Sequence, residues 1–108
     1  VREGPAKFAA DVSIRDVPER ARYELRLGDD VAGFAEYRRG GDAIVFRHTV
    51  IEPEFEGRGL GSKLARHVLD EARAAGLTVK PQCPFIARYI AEHSEYADLV
   101  QPASSPRG

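Results

Sequence analysis

Three features of this chain predict an α+β fold, a mixed and largely antiparallel sheet carrying two helices. Its first half contains three β-like runs separated by short glycine turns. After Pro53 the apolar period changes from two residues to that of a helix. A cluster of three alternate glycines, Gly57, Gly59 and Gly61, lies at that change and opens the first helix.

The elements follow in order. Tyr23, Leu25 and Leu27 alternate with Arg22, Glu24 and Arg26, the pattern of a half-buried strand with its charged residues in water. Gly28, Asp29 and Asp30 supply a turn, and residues 31–38 read as a second strand. Arg39-Gly40-Gly41-Asp42 makes the next turn. A third strand over Ala43–Ile51 is β-branched and apolar enough for the middle of a sheet. Short loops predict that these three strands form an antiparallel meander.

Leu60, Leu64, Ala65, Val68, Leu69, Ala72 and Ala75 then recur at helical spacing, opposite a face of Lys63, Arg66, His67, Asp70, Glu71 and Arg73. Gly76 is placed for a left-handed C-cap. Residues 77–80 form a short strand stopped by Pro81, and Pro84 can begin a second helix with Phe85, Ile86, Tyr89 and Ile90 as its buried stripe. Residues 95–100 are expected as a last short strand or an irregular lid. The expected order is β-β-β-α-β-α.

At 108 residues the chain is expected to hold one domain, over residues 13–100, with flexible ends at 1–12 and 101–108. The 101–108 tail is polar and rich in Pro and Ser. An apolar fraction of 43% and a charged fraction of 31% belong to an ordinary globular protein. The formal net charge of -1 gives no reason to expect nucleic acid or an anionic membrane as partner. Nothing in the sequence resembles a signal peptide or approaches a membrane span, so neither is expected. Cys83 is the only cysteine, which excludes an intrachain disulfide and fits the reducing cytoplasm.

The glycine cluster sits in the run Glu56-Gly57-Arg58-Gly59-Leu60-Gly61-Ser62-Lys63. Glycines clear side chains from a helix start, so backbone N–H groups and the helix dipole can meet a phosphate. A dinucleotide fingerprint would need glycine at position 62, which is Ser62. A Walker loop would need Lys before Ser or Thr after its last glycine, and here Ser62 precedes Lys63. ATP and NAD therefore fit poorly. A plain tight turn is the competing reading.

The loop resembles the pyrophosphate loop of the GCN5-related N-acetyltransferases. That pattern is Arg or Gln, two residues of any kind, Gly, any residue, then Gly or Ala. Gly59 and Gly61 fill its small positions, while Glu56 stands at its first. A carboxylate cannot donate to a phosphate, which leaves Arg58 or Lys63 for the cationic contact. With His48-Thr49-Val50, residues 80–85 and residues 96–100, the chain resembles a small single-domain subfamily of these acetyltransferase-like proteins over residues 13–100. The resemblance implies a minimal fold of that family and acetyl-CoA as acyl donor, held where two strands splay apart. It implies a coenzyme site at Thr49, Val50, Ile51, Glu56, Gly57, Arg58, Gly59, Leu60, Gly61, Ser62 and Lys63, with Arg88 as a further contact to the adenosine phosphates. Larger members carry two helices between their first and second strands; here only residues 28–30 join the first two strands read above. The acceptor site would then lie open, for a small amine or a lysine.

Acetyl transfer needs a polarised carbonyl, a nucleophile and a path for a proton. Cys83 precedes Pro84 at a helix start, where a dipole favours thiolate, and can accept the acetyl group covalently. Its plain alternative is a buried small apolar residue. His48 alternates with Phe46 and Val50, so it is expected on their face as a general base or a partner of Cys83; the alternative is a structural histidine. Tyr89 and Tyr96 are expected in the core, with Tyr96 the nearer to the cleft. Glu36, beside Phe34 and Tyr37, reads as a solvent-facing strand residue, with a general base as the alternative. His67 is expected in water and His93 at a helix end. The three histidines and one cysteine have no zinc spacing, so no metal is expected. A coenzyme A-binding sensor or interaction module without turnover is the second functional reading.

Overall fold

The computed structural model describes residues 12–100. The expected flexible ends lie outside these residues, apart from Val12, which is in a strand. Five strands form one sheet in chain order: β1 (Val12–Val17), β2 (Arg22–Leu27), β3 (Asp30–Gly40), β4 (Ala43–Ile51) and β5 (Thr78–Pro81). The first four pair antiparallel, and β5 joins β4 in parallel. The meander therefore has one more strand than expected. Val12, Ile14 and Val17 in β1 are only half-buried, because the strand is the sheet's edge. Pro18–Arg20 form a single 3₁₀ turn between β1 and β2, so the short link at the start of the fold lies there.

One sheet face is covered. Tyr23, Leu25, Ala35, Tyr37 and Phe46 are buried on it, and α1 (Leu60–Ala74) lays Leu64, Val68 and Leu69 against them. The Gly76 prediction holds in detail. Gly76 has φ 71°, its N–H donates to Arg73 O (3.1 Å), and Leu77 N–H donates to Ala72 O (2.9 Å). These two bonds form a Schellman cap that satisfies the last carbonyls of α1 and turns the chain into β5. Helix α2 (Pro84–Glu92) begins at Pro84 and buries Ile86, Tyr89 and Ile90.

The segment expected as strand or lid is instead a 3₁₀ turn, Ser94–Tyr96, followed by the short helix α3 (Ala97–Val100). Helix α3 packs beside β5, and the side-chain hydrogen bonds of the segment reach α1. Tyr96 Oη donates to Asp70 Oδ1 (2.7 Å), and Arg73 donates to both carboxylate oxygens of Asp98 (3.0 Å each) and to Glu95 O (2.6 Å).

The opposite face has its own polar cluster. Glu24, expected in water, is 3% exposed. Arg22 donates to Glu24 Oε2 through Nε and Nη2 (3.0 and 2.8 Å), and Arg26 donates to Oε1 (2.9 Å). The Arg22 guanidinium also lies 4.4 Å from the centroid of Phe34. Strand alternation separates the two faces correctly, but the long arginine stems cover the carboxylate from both sides.

Candidate active site

The site begins where two paired strands part. β4 and β5 pair from Ala43↔Thr78 to Phe46↔Pro81, and Cys83 N–H adds a last bond to Phe46 O (2.9 Å). Beyond this point β4 runs on to Ile51 while the chain after β5 turns into α2. The result is a cleft with one wall from β4 and the other from the start of α2.

A bulge in β4 decides which side chains enter it. Tyr37 pairs with Phe46 and Glu36 with His48, leaving Arg47 as the extra residue. The bulge shifts the alternation by one. Thr49 pairs with buried Ala35 and so joins the helix-covered face, whereas His48 and Val50 pair with Glu36 and Phe34 on the other. The expectation that His48 shares a face with Phe46 is thus overturned, and with it the pairing of His48 with Cys83. His48 is exposed, 6.4 Å from the Phe34 ring between centroids. Glu36 opposite it is half-buried rather than fully in solvent.

Cys83 caps the N-terminus of α2 and is 3% exposed. Its Sγ donates to Thr49 Oγ1 at 3.2 Å, closing the inner end of the cleft. From Thr49 outwards a cavity of about 380 Å³ extends past Ile51, Phe55 and Phe85 to the glycine loop, with Glu56, Gly57 and residues 59–62 on its rim. Of the residues expected to hold a coenzyme, Thr49, Ile51, Glu56, Gly57, Gly59, Leu60, Gly61 and Ser62 line it. Val50 does not line it, and its side chain is on the other face. Arg58 and Lys63 lie beside it, on a neighbouring depression shared with Arg66. Arg88 is exposed on α2 and does not line the cavity.

The loop has the local structure of an anion cradle. Gly59 is the N-cap of α1 at φ 74°, a left-handed conformation that favours glycine, and no side chain caps the helix. The first N–H groups of α1 therefore keep their hydrogens free of side-chain acceptors. Arg58 is held 5.6 Å over the Phe55 ring, which keeps a cation at the loop. Gly61 meets a different demand. A Cβ there would lie 2.9 Å from Phe85 Cζ, so the absent side chain lets the Phe85 ring rest on α1. Phe85 is 40% exposed, the one large apolar side chain so open among the described residues, and it forms part of the cavity wall. Its place was missed in the sequence, where it read as helix core.

The tyrosines lie elsewhere. Tyr89 stacks on His93 (3.8 Å, 13°), whose Nδ1 meets Tyr89 O at 2.8 Å, and Tyr96 is tied to Asp70. Neither lines the cavity. His67, expected in water, is half-buried and meets the edge of Tyr23 at 5.9 Å.

A sheet opened between its fourth and fifth strands, beside an uncapped glycine-led helix start, defines an acyltransferase of the N-acetyltransferase fold. The family model for GCN5-related N-acetyl-transferases matches residues 22–99, and the chain belongs to that family. The fold is similar to that of a GCN5-like candidate N-acetyltransferase from Staphylococcus aureus, whose solution structure was determined by NMR. That match has a TM-score of 0.65 and 22% identity, covering 83% of this chain and 88% of the other. No curated protein matches the chain.

Proposed function

We propose that the chain binds acetyl-CoA in the cavity between Thr49 and the glycine loop and passes the acetyl group to an amine through Cys83. One observation carries this reading: the Cys83 thiol is hydrogen-bonded to Thr49, and Thr49 lines the same cavity as the free N-terminus of α1. The residues fit such a donor. The amides of residues 60–62 and the nearby cations Arg58 and Lys63 suit a pyrophosphate, and Ile51, Phe55 and Phe85 suit the apolar part of a pantetheine arm.

The donor supplies a thioester, activated toward a sulfur or nitrogen nucleophile. Cys83 Sγ forms a bond to the acetyl carbon as the donor's carbon–sulfur bond breaks, and the thiol proton ends on the departing sulfur. Thr49 Oγ1 holds the thiol at rest and fixes its direction. An amine then displaces Cys83, whose sulfur recovers a proton, so no net proton is left over. His48 takes no part in this step, because its side chain lies on the sheet face away from Thr49 and Cys83. Only a single turn joins β1 to β2, with no helices there to wall in an acceptor, which suits a small amine or a lysine side chain. A free, buried Cys83 supports work in the reducing cytoplasm.

Intact-protein mass spectrometry after incubation with acetyl-CoA tests the reading. One acetyl group, removed by neutral hydroxylamine and absent from Cys83→Ala, is the expected result. Saturable binding with no adduct and no acetylated amine would replace it with a coenzyme-binding module that has no turnover.

A further inference from the structure

A second depression, of about 490 Å³, lies away from the glycine loop. It exists because β3 outruns β2. The last β2–β3 pair is Arg22↔Glu36, while β3 continues to Gly40 paired with β4 alone. The turn after β1 stops beside this free edge and leaves a notch. Tyr37 N–H donates to Ala21 O across it (2.9 Å), and Tyr37 Oη donates to Asp16 Oδ1 (2.6 Å). Both bonds fix the floor.

The lining is strongly basic. Arg38 and Arg39 come from β3, and Arg47 is the residue extruded by the β4 bulge; all three are exposed. None of them is in an ion pair among the described residues. Asp16 is the one carboxylate in the lining, and one of its oxygens already accepts from Tyr37. Three arginines thus line a notch that holds a single, partly engaged carboxylate, in a chain whose net charge is -1. By strand alternation the Arg39 N–H points the same way as that of Tyr37, into the notch. Ala21 at the rim has φ 54° and ψ 48°, the one non-glycine residue at positive φ among the described residues. Its carbonyl is held there by the Tyr37 N–H, at the border of the notch.

We propose that this notch is a second anion site, for an oxyanion group carrying two negative charges, a phosphate or a pair of carboxylates. Guanidinium groups bind such oxygens in bidentate fashion, and the ligand's charge offsets repulsion that the protein leaves uncompensated. This site is independent of the coenzyme reading, since none of its lining residues borders the Cys83–loop cavity.

Nitrogen-15 NMR titration of the full chain with inorganic phosphate tests it, with succinate as a second arm and sodium chloride at matched ionic strength as reference. Phosphate should shift the Arg38, Arg39 and Arg47 backbone and guanidinium resonances saturably, and chloride should not. Succinate saturating the same resonances would extend the site to dicarboxylates; phosphate alone doing so would assign it to phosphate groups. Arg39→Gln and Arg47→Gln, both at exposed positions, should each weaken phosphate about tenfold through loss of a charge-assisted contact. Lys63→Gln should leave this response unchanged. Phosphate shifts no larger than those with chloride, or confined to residues 57–63, would overturn the proposal.

Discussion

Cys83 Sγ donates to Thr49 Oγ1 over 3.2 Å, at the level where β4 and β5 stop pairing. The two residues are brought together by unrelated local causes. Pro84 starts α2 and makes Cys83 its N-cap, while the Arg47 bulge turns Thr49 toward the helices. Without the bulge, His48 would occupy the Thr49 side and the thiol would have a different neighbour.

Thr49→Val keeps the shape but removes the acceptor for the thiol. The loss of one ordinary hydrogen bond, ~1 kcal/mol, should slow acetylation of Cys83 about fivefold, with coenzyme affinity nearly unchanged. Time-resolved mass spectrometry reads the rate. An unchanged rate would mean that Thr49 does not direct the sulfur.

Gly61→Val should fold and yet bind coenzyme poorly. Its Cβ would stand 2.9 Å from Phe85 Cζ, so the ring must swing from its seat and deform the cavity. At a coenzyme concentration of about 100 Kd the native chain gains about 2.7 kcal/mol, and the variant should lose most of the corresponding rise in Tm. Phe85→Ala combined with Gly61→Val removes the clash and should restore part of it.

Glu24→Gln should destabilise the fold by roughly 1.5–3 kcal/mol, the range for hydrogen bonds to charged groups, as measured by urea unfolding. The hydrogen bond from Arg22 is the main reason that the Glu24 carboxyl titrates below its ordinary value; Arg26 adds to it, against desolvation. A depressed carboxylate contributes stability above its unfolded pKa and loses it as pH falls through the folded one. The native chain should therefore weaken in acid more steeply than the variant. Parallel acid limbs would contradict this.

An alkaline limb is expected as well. Burial, with Asp16 nearby, pushes the Tyr23 phenol up to about 12, and burial with the hydrogen bond to Asp70 does the same for Tyr96. Burial and the bond to Asp16 also raise Tyr37. A raised phenol adds stability that is complete below its ordinary pKa near 10 and is lost as pH climbs through the folded value. Thermal melts from neutral pH to about pH 12 should show Tm falling above pH 10, less so in Tyr96→Phe.

Local signals were legible where local chemistry decides structure. The alternation in β2, the stripe of α1, the cap at Gly76 and the start at Pro84 each depend on residues within a few positions. The Arg47 bulge was not legible, because it is a property of the pairing between β3 and β4; its omission sent His48 to the wrong face. Glu24 was misread for a related reason. Its burial depends on Arg22 and Arg26 folding back over the same strand, which alternation alone does not reveal. β1 carries the alternation of Val12 and Ile14, yet lies at an edge where few apolar residues are needed. The last segment took helical form because Tyr96 and Asp98 find partners on α1. The glycine loop was readable from spacing, but its other wall, Phe85 against Gly61, is a tertiary contact.

Calorimetric titration of the chain with acetyl-CoA, repeated with Gly61→Val, tests the central claim most directly. Saturable one-to-one heat that is abolished or greatly weakened in the variant is the predicted result. No heat with the native chain, or equal affinity in both, would contradict a coenzyme held between Thr49 and the glycine loop.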